Sequence, residues 1–287
     1  LGVYHGYEGL MDGRVKQLQS SDVHGIIQRG GTILRTARSE VFRTPEGQAK
    51  AMQLMTAYEM DALIVIGGDG SFHGAQALAE LGMNVMGIPG TIDNDIGYTD
   101  FTIGFDTAVN NVMGEMEKIR DTMRSHDRVA VVEVMGRACG DIALWSAMTA
   151  PADIVLTPES PRDWGEAASQ LMHNKLMGRF TSMVIIAEGA GKAEDFAKFV
   201  QEHTDVEIKP VVLSYIQRGG APTAADRMLA TRLGARAVEL IHEGVRNRAL
   251  GIHDNHIVDV DIKDSTAHNE NYDQSLYELH SKMNRIY

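Results

Sequence analysis

Ala62-Leu63-Ile64-Val65-Ile66-Gly67-Gly68-Asp69-Gly70-Ser71 is followed, one helix later, by Pro89-Gly90-Thr91-Ile92-Asp93-Asn94-Asp95. The first stretch reads as a buried parallel strand that runs into a glycine turn carrying one carboxylate and then into a helix. The second puts acidic and amide groups on a loop at the end of the next strand. Ligands of open α/β sheets gather beyond the carboxyl ends of the strands, so both acidic loops are expected to face one crevice.

The same alternation extends outward from this pair. Apolar runs at Ala62–Ile66, Asn84–Ile88, Val129–Met135, Ile154–Leu156, Met183–Ala187 and Val211–Leu213 read as buried strands. Helical periodicity appears over Gly47–Met60, Phe72–Leu81, Thr107–Met123, Asp141–Met148, Trp164–Leu176, Lys192–His203, Ala224–His242 and Ser275–Met283. Alternating signals of this kind predict an α/β protein with a doubly wound, mainly parallel sheet. Near the C-terminus, Leu250–Ile252 and His256–Val260 read as a hairpin turning at Asp254-Asn255. The opening Gly2–Tyr7 reads like the end of a strand entering a turn, so a preceding N-terminal piece is expected.

Bulk composition narrows the partners. The 287 residues suffice for one large or two medium domains, and a net charge of -12 argues against nucleic acid or an anionic membrane. No apolar run is long enough to span a bilayer, and no secretory signal is read. The single cysteine, Cys139, excludes an internal disulfide framework and fits the cytoplasm.

The motifs carry phosphate chemistry. In Gly67-Gly68-Asp69-Gly70-Ser71 the glycines let backbone N–H groups approach phosphate oxygens, Asp69 can hold Mg²⁺, and Ser71 can cap the helix. The plainer reading is a tight strand-to-helix turn. Phosphoryl transfer to a hydroxyl needs a carboxylate at the acceptor, a metal and cations that match the spreading charge. Asp93 can take the proton, Thr91 can bond the migrating group, and Asp95 can position water or metal; a solvated Asx-rich turn is the alternative. Arg137, in Met135-Gly136-Arg137, can neutralise transferred charge or stand as an exposed first-turn arginine. Glu188 can accept from sugar hydroxyls or simply end its strand. Arg218, in Gln217-Arg218-Gly219-Gly220 with Lys209 and Tyr215 nearby, suits phosphate. Arg128 opens its strand, so it belongs at the far side of the sheet unless a neighbouring subunit borrows it. There is no Walker lysine motif, no nucleophile elbow and no histidine set with metal-ligand spacing.

Taken together, these residues resemble the bacterial ATP-dependent 6-phosphofructokinase family along essentially the whole chain. The resemblance implies two Rossmann-like domains in three αβα layers, with the chain crossing between them. A nucleotide domain would take residues 1–104 and 217–267 and lack its first strand and glycine loop; a sugar-phosphate domain would take 105–216 and 268–287. It implies transfer from Mg·ATP to fructose 6-phosphate by a cytoplasmic homotetramer. Asp93 would be the base and Asp69 the metal ligand. Tyr7, Arg38, Ser39, Gly68, Asp69, Gly70, Ser71 and Gly74 would lie at the nucleotide. Thr91, Ile92, Asp93, Met135, Gly136, Arg137, Glu188, Lys209, Tyr215 and Arg218 would meet the sugar phosphate, with Arg128 reaching a neighbouring subunit's site.

Pyrophosphate-using members resemble one another in an acidic residue after the metal-binding Asp and a lysine before the Thr-Ile-Asp loop. Gly70 and Gly90 stand there, which implies ATP as donor. Lys209 and Tyr215 replace the usual arginine and histidine, which predicts weaker sugar-phosphate binding. The effector site matches in part, with Arg120 and Arg179 as phosphate contacts and Asp153 as a metal ligand. Ser20 and Met177 fall where relatives are basic, an incomplete set for allosteric control by ADP or phosphoenolpyruvate. An NAD-kinase-like or diacylglycerol-kinase-like phosphotransferase shares the Gly-Gly-Asp-Gly turn but not the Thr-Ile-Asp-Asn-Asp or Gln-Arg-Gly-Gly stretches. A non-catalytic regulatory subunit would be expected to lack Asp69, Asp93 or Arg137.

Overall fold

The structure, a computed structural model, describes residues 1–150, 152–266 and 272–284. Along the chain run β1 (Gly2–Val3), α1 (Gly6–Met11), β2 (Val15–Lys16), α2 (Ser20–Val23), α3 (Pro45–Ala57), β3 (Ala62–Gly67), α4 (Asp69–Glu80), β4 (Asn84–Thr91) and β5 (Ile103–Gly104). Then follow α5 (Phe105–Arg124), β6 (Val129–Val134), α6 (Asp141–Thr149), β7 (Ile154–Leu156), α7 (Trp164–Leu176), β8 (Met183–Ala187), α8 (Ala193–His203) and β9 (Ile208–Val212). The chain ends with α9 (Ala224–His242), β10 (Arg248–His253), β11 (His256–Asp261) and α10 (Gln274–Met283).

Two compact units form from interleaved segments. Unit 1 comprises Leu1–Thr91, Ile96–Gly104 and Gly220–Asn269; unit 2 comprises Ile92–Asp95, Phe105–Gly219 and Glu270–Tyr287. Unit 1 holds a sheet in the order β11-β10-β4-β3, with β5 pairing the end of β4. Strands β3, β4 and β10 are parallel, and the β10–β11 hairpin turns at Asp254-Asn255. The pleat sends Val85 toward α1, α3 and α4, with Leu10, Met55 and Leu78, and sends Met86 and Ile88 toward Leu229, Leu233 and Leu240 of α9. Helices thus cover both faces of β4. At the edge strand β3, Ile64 and Ile66 are exposed.

Unit 2 is a fully parallel sheet in the order β7-β8-β6-β9. Val129 and Val131 of β6 pack with α7 and α8 residues such as Leu171 and Phe196, whereas Ala130, Val132 and Val134 pack with Val112, Met116, Ile142 and Leu144 of α5 and α6. A strand buried on both faces needs a continuous apolar run, and Val-Ala-Val-Val interrupted by one glutamate supplies it.

The structure corrects three local readings. Helix α4 begins at Asp69 rather than Phe72, with Gly68 at its N-cap and no side-chain cap, so Ser71 does not cap it. Strand β9 is Ile208–Val212 rather than Val211–Leu213. Strand β3, read as buried, is an edge strand with no fully buried residue, whereas Gly2–Tyr7 does run from a two-residue strand antiparallel to Val15-Lys16 into a turn before α1, with His5 left-handed at φ 66°.

Candidate active site

On unit 1 the register Gly67↔Pro89 aligns the carboxyl ends of β3 and β4, which brings the glycine turn beside Thr91. A Cβ on Gly68 would stand 3.2 Å from the Cβ of Thr91, so glycine permits this approach. Asp69, the first residue of α4, is partly exposed, and its carboxylate lies 3.3 Å from His73 Nδ1. The Thr102 hydroxyl donates to the Thr91 carbonyl at 2.7 Å and fixes the strand's end. The Ser71 and Phe72 N–H groups donate to the Gly68 carbonyl at 2.9 and 3.2 Å, and the N-terminal end of a helix such as α4 is receptive to anions.

Tyr7 stacks on Phe42 with ring centroids 4.0 Å apart, and its hydroxyl donates to the Ser71 carbonyl at 2.6 Å. Burial raises its phenol pKa. The ring packs against Gly74, where any Cβ would collide with it. Tyr7 and Gly74 therefore brace α4. Ser39 accepts from the Phe42 N–H at 3.1 Å, and Arg38 is exposed. A Cβ at Gly70 would have open space around it, whereas one at Gly90 would meet Ile66 Cγ2 at 3.0 Å.

On unit 2 the Asp93 carboxylate is almost wholly buried, and its Oδ2 lies 3.2 Å from Arg137 Nε, on a side chain that is 61% exposed. Arg137 adopts φ 54° just after Gly136 at φ 142°. A left-handed conformation at a non-glycine residue persists only where its surroundings impose it. Here Glu188 Oε1 accepts from the N–H groups of both Gly136, at 3.1 Å, and Arg137, at 2.8 Å. Gln217 Oε1 accepts from the Met135 N–H at 2.9 Å, while Asn111 donates to the carbonyls of Gln217 and Gly219, closing the turn that carries the exposed Arg218. Tyr215, in the same turn, is 80% exposed.

Other residues lie at the opposite ends of the unit 2 strands. Lys209 pairs in register with Ala130, so it sits beside Arg128 at the amino edge of the sheet and not with Arg137, Glu188 and Arg218 at the carboxyl edge. Glu207 binds both cations, with Oε1 2.8 Å from Arg128 Nε and 3.2 Å from Lys209 Nζ, and these contacts hold its carboxyl below the usual range. Asp153 is also at the amino edge; its Oδ2 accepts from the Met183 N–H at 2.8 Å. Arg120 lies in α5, and Arg179 is exposed after α7.

Two contributors were missed by sequence reasoning. Asn94, at φ 54°, donates from Nδ2 to Asp141 Oδ2 at 2.8 Å, and the Cys139 thiol lies 3.8 Å from the Asn94 carbonyl. Burial pushes the Asp141 carboxyl up to about 6, with Glu159 adding to the rise and the Asn94 bond opposing it. Burial also raises the Cys139 thiol. Asn94 and Asp141 are 47 positions apart, and the sole signal was the Asp at the start of a helix.

The fold is of the α/β class with mainly parallel sheets, with a carboxylate opening helix α4 in unit 1 and a buried carboxylate beside an arginine in unit 2. The family model described as Phosphofructokinase matches residues 1–241. The ATP-dependent 6-phosphofructokinase of Clostridium tetani is 50% identical over 279 residues, 97% of this chain and 88% of that protein. The enzyme of the same name from Clostridium botulinum (strain Loch Maree) is 48% identical over the same shares. Among solved structures, phosphofructokinase from Saccharomyces cerevisiae superposes with a TM-score of 0.88 at 31% identity; it covers 97% of this chain, which spans 45% of that one. The chain belongs to the phosphofructokinase family. No helix among the described residues is long and apolar enough to cross a membrane.

Proposed function

We propose that this protein transfers the γ-phosphoryl group of Mg·ATP to the 1-hydroxyl of fructose 6-phosphate, giving fructose 1,6-bisphosphate and ADP. Unit 1 is the nucleotide domain and unit 2 the sugar-phosphate domain. The observation that carries this reading is the buried Asp93 carboxylate held against Arg137. Asp93 takes the proton as the sugar oxygen bonds to phosphorus and the bond to the β-phosphate oxygen breaks. Arg137 turns from Asp93 to the migrating group, with the Thr91 hydroxyl beside it. Arginine and backbone donors placed where charge spreads are the main protein contribution to such a reaction. Glu188 holds the Gly136-Arg137 turn and meets the sugar hydroxyls, and Arg218 and Tyr215 bind the sugar phosphate.

Asp69 suits Mg²⁺. Among the described residues no three acidic, histidine or cysteine side chains cluster, and Mg²⁺ commonly takes one or two carboxylates with water and phosphate oxygens completing its shell. Asp69, with Asp95 positioning water, would hold it, and the ion when bound neutralises the transferring phosphates. The unobstructed space at Gly70 supports a donor with a nucleoside and three phosphates. Arg128 and Lys209, together at the amino edge, serve a neighbouring subunit's sugar phosphate in a cytoplasmic homotetramer.

The test is a coupled assay on the full-length protein with ATP or pyrophosphate as donor and fructose 6-phosphate or other hexose phosphates as acceptors. Turnover with ATP and fructose 6-phosphate is expected. A preference for pyrophosphate or for another acceptor would overturn the assignment.

A further inference from the structure

We propose that Asp141 is a positioning residue: through the side chain of Asn94 it sets the orientation of the Asp93 carboxylate toward the acceptor hydroxyl. This rests on the reading of Asp93 as the base.

Residues Ile92–Asp95 belong to unit 2 although the chain on both sides of them belongs to unit 1. Two side chains of this segment fasten it to unit 2 from either side of the base. Ile92 is buried in the cluster formed by Phe105, Ala108 and Ala143, and Asn94 gives its amide to the buried Asp141 carboxylate at 2.8 Å. Asn94 is left-handed, so the peptide leaving Asp93 runs in a direction that an unanchored chain would seldom hold.

Asp141 is well placed to impose it. As the first residue of α6 it is fixed by a helix, and the segment leading to it, Gly136–Gly140, carries Arg137. That segment is braced in turn: Gly136 and Arg137 donate to Glu188, Gly140 donates to Glu159 Oε1 at 2.7 Å, and the Cys139 N–H donates to the Gly136 carbonyl at 2.9 Å. One rigid stretch thus holds the arginine at one end and, through Asn94, the residue after the base at the other. The Asp93–Arg137 pair cannot perform this task during turnover, because Arg137 moves to the transferred group. The Asn94–Asp141 bond does not involve Arg137 and persists. A misplacement of about 1 Å at a reacting group costs about 100-fold in rate.

The test compares full-length Asn94→Gly, Asp141→Leu and Asp141→Asn with the wild type by steady-state kinetics and by amide hydrogen exchange over residues 92–95. Asn94→Gly keeps the left-handed backbone accessible and removes only the amide. Asp141→Asn keeps an acceptor oxygen and is the conservative rescue. Asn94→Gly and Asp141→Leu are expected to lower kcat about 10- to 100-fold with KM for ATP and fructose 6-phosphate within about threefold. Their double variant should be no worse than either alone, Asp141→Asn should regain most of the rate, and exchange at 92–95 should quicken in the two damaging variants. Unchanged kcat with unchanged exchange would overturn the inference while leaving Asp93 as the base. Equal loss in Asp141→Asn and Asp141→Leu would also overturn it. Faster exchange in a protein whose wild type shows no sugar-dependent turnover would instead overturn the reading of Asp93, and the catalytic role of Asp141 with it.

Discussion

Asp93 and Asp141 are both buried carboxylates of unit 2, and their neighbours set them different tasks. Asp93 has a guanidinium 3.2 Å away, whereas Asp141 is desolvated, faces Glu159 and receives a neutral amide. The Asp141 pKa in the folded protein, about 6, lies above the ordinary 3.8. The folded state therefore keeps a proton that the unfolded chain loses between these values. The stability this group contributes is complete below pH 4 and is lost as pH rises through about 6, by on the order of 2–3 kcal/mol. Asp141→Asn should remove that dependence, so the difference in Tm between variant and wild type should move in the variant's favour from pH 5 to pH 7. A constant difference across that range would contradict it. Glu188 marks the limit of residue-scale reading. Its position after β8 was legible, but its bonds to the Gly136 and Arg137 N–H groups depend on how two strand ends meet, which no local pattern encodes.

Among the elements, long periodic segments were legible and special entries were not. Helix α7 was read at its observed bounds, and Asp163 caps it by accepting from Gly165 and Glu166. The start of α4 was read three residues late because Asp-Gly-Ser is a poor helix former, yet the Ser71 and Phe72 N–H groups donate to the Gly68 carbonyl and the Tyr7 hydroxyl holds the Ser71 carbonyl, contacts that override propensity. Pro210 hid the beginning of β9; the strand is at the sheet's edge, where a missing N–H is tolerated. The same α4 entry yields a test of donor choice. A Cβ at Gly70 meets no neighbouring side chain, and an acidic group in a helix's first turn is favourable, so Gly70→Asp should fold with stability within about 1 kcal/mol of wild type. It should raise the apparent KM for ATP at least about tenfold by repelling the phosphates. An unchanged KM would remove the argument that this position selects the donor. Gly74→Ala should behave in the opposite way. Its methyl would collide with Tyr7 and cost about 1–3 kcal/mol in chemical unfolding, with no acceptor-specific effect; a neutral result would show that Tyr7 does not brace α4.

For the whole molecule, the α/β class and the parallel sheets were legible because alternating apolar runs and amphipathic segments admit few other arrangements. The partition of Ile92–Asp95 into unit 2 was not, since it depends on Asn94 and Asp141 meeting across 47 residues. The amino-edge pair of Arg128 and Lys209 makes a prediction about assembly. If both serve a neighbour's site, Arg128→Ala and Asp93→Asn homomers should each be nearly inactive, while hybrids formed by unfolding and refolding the two together should regain part of the wild-type rate. Hybrids no more active than their parents would confine Arg128 to a structural bond with Glu207.

The central claim is that the Asp93 carboxylate receives the acceptor's proton. Its most direct test is kcat of full-length Asp93→Asn against wild type with saturating ATP and fructose 6-phosphate. A loss of about 10²- to 10⁴-fold with KM for ATP within about threefold is expected for removal of a general base that contributes little to nucleotide binding. An Asp93→Asn enzyme that turns over fructose 6-phosphate at a rate within a few-fold of wild type would contradict it.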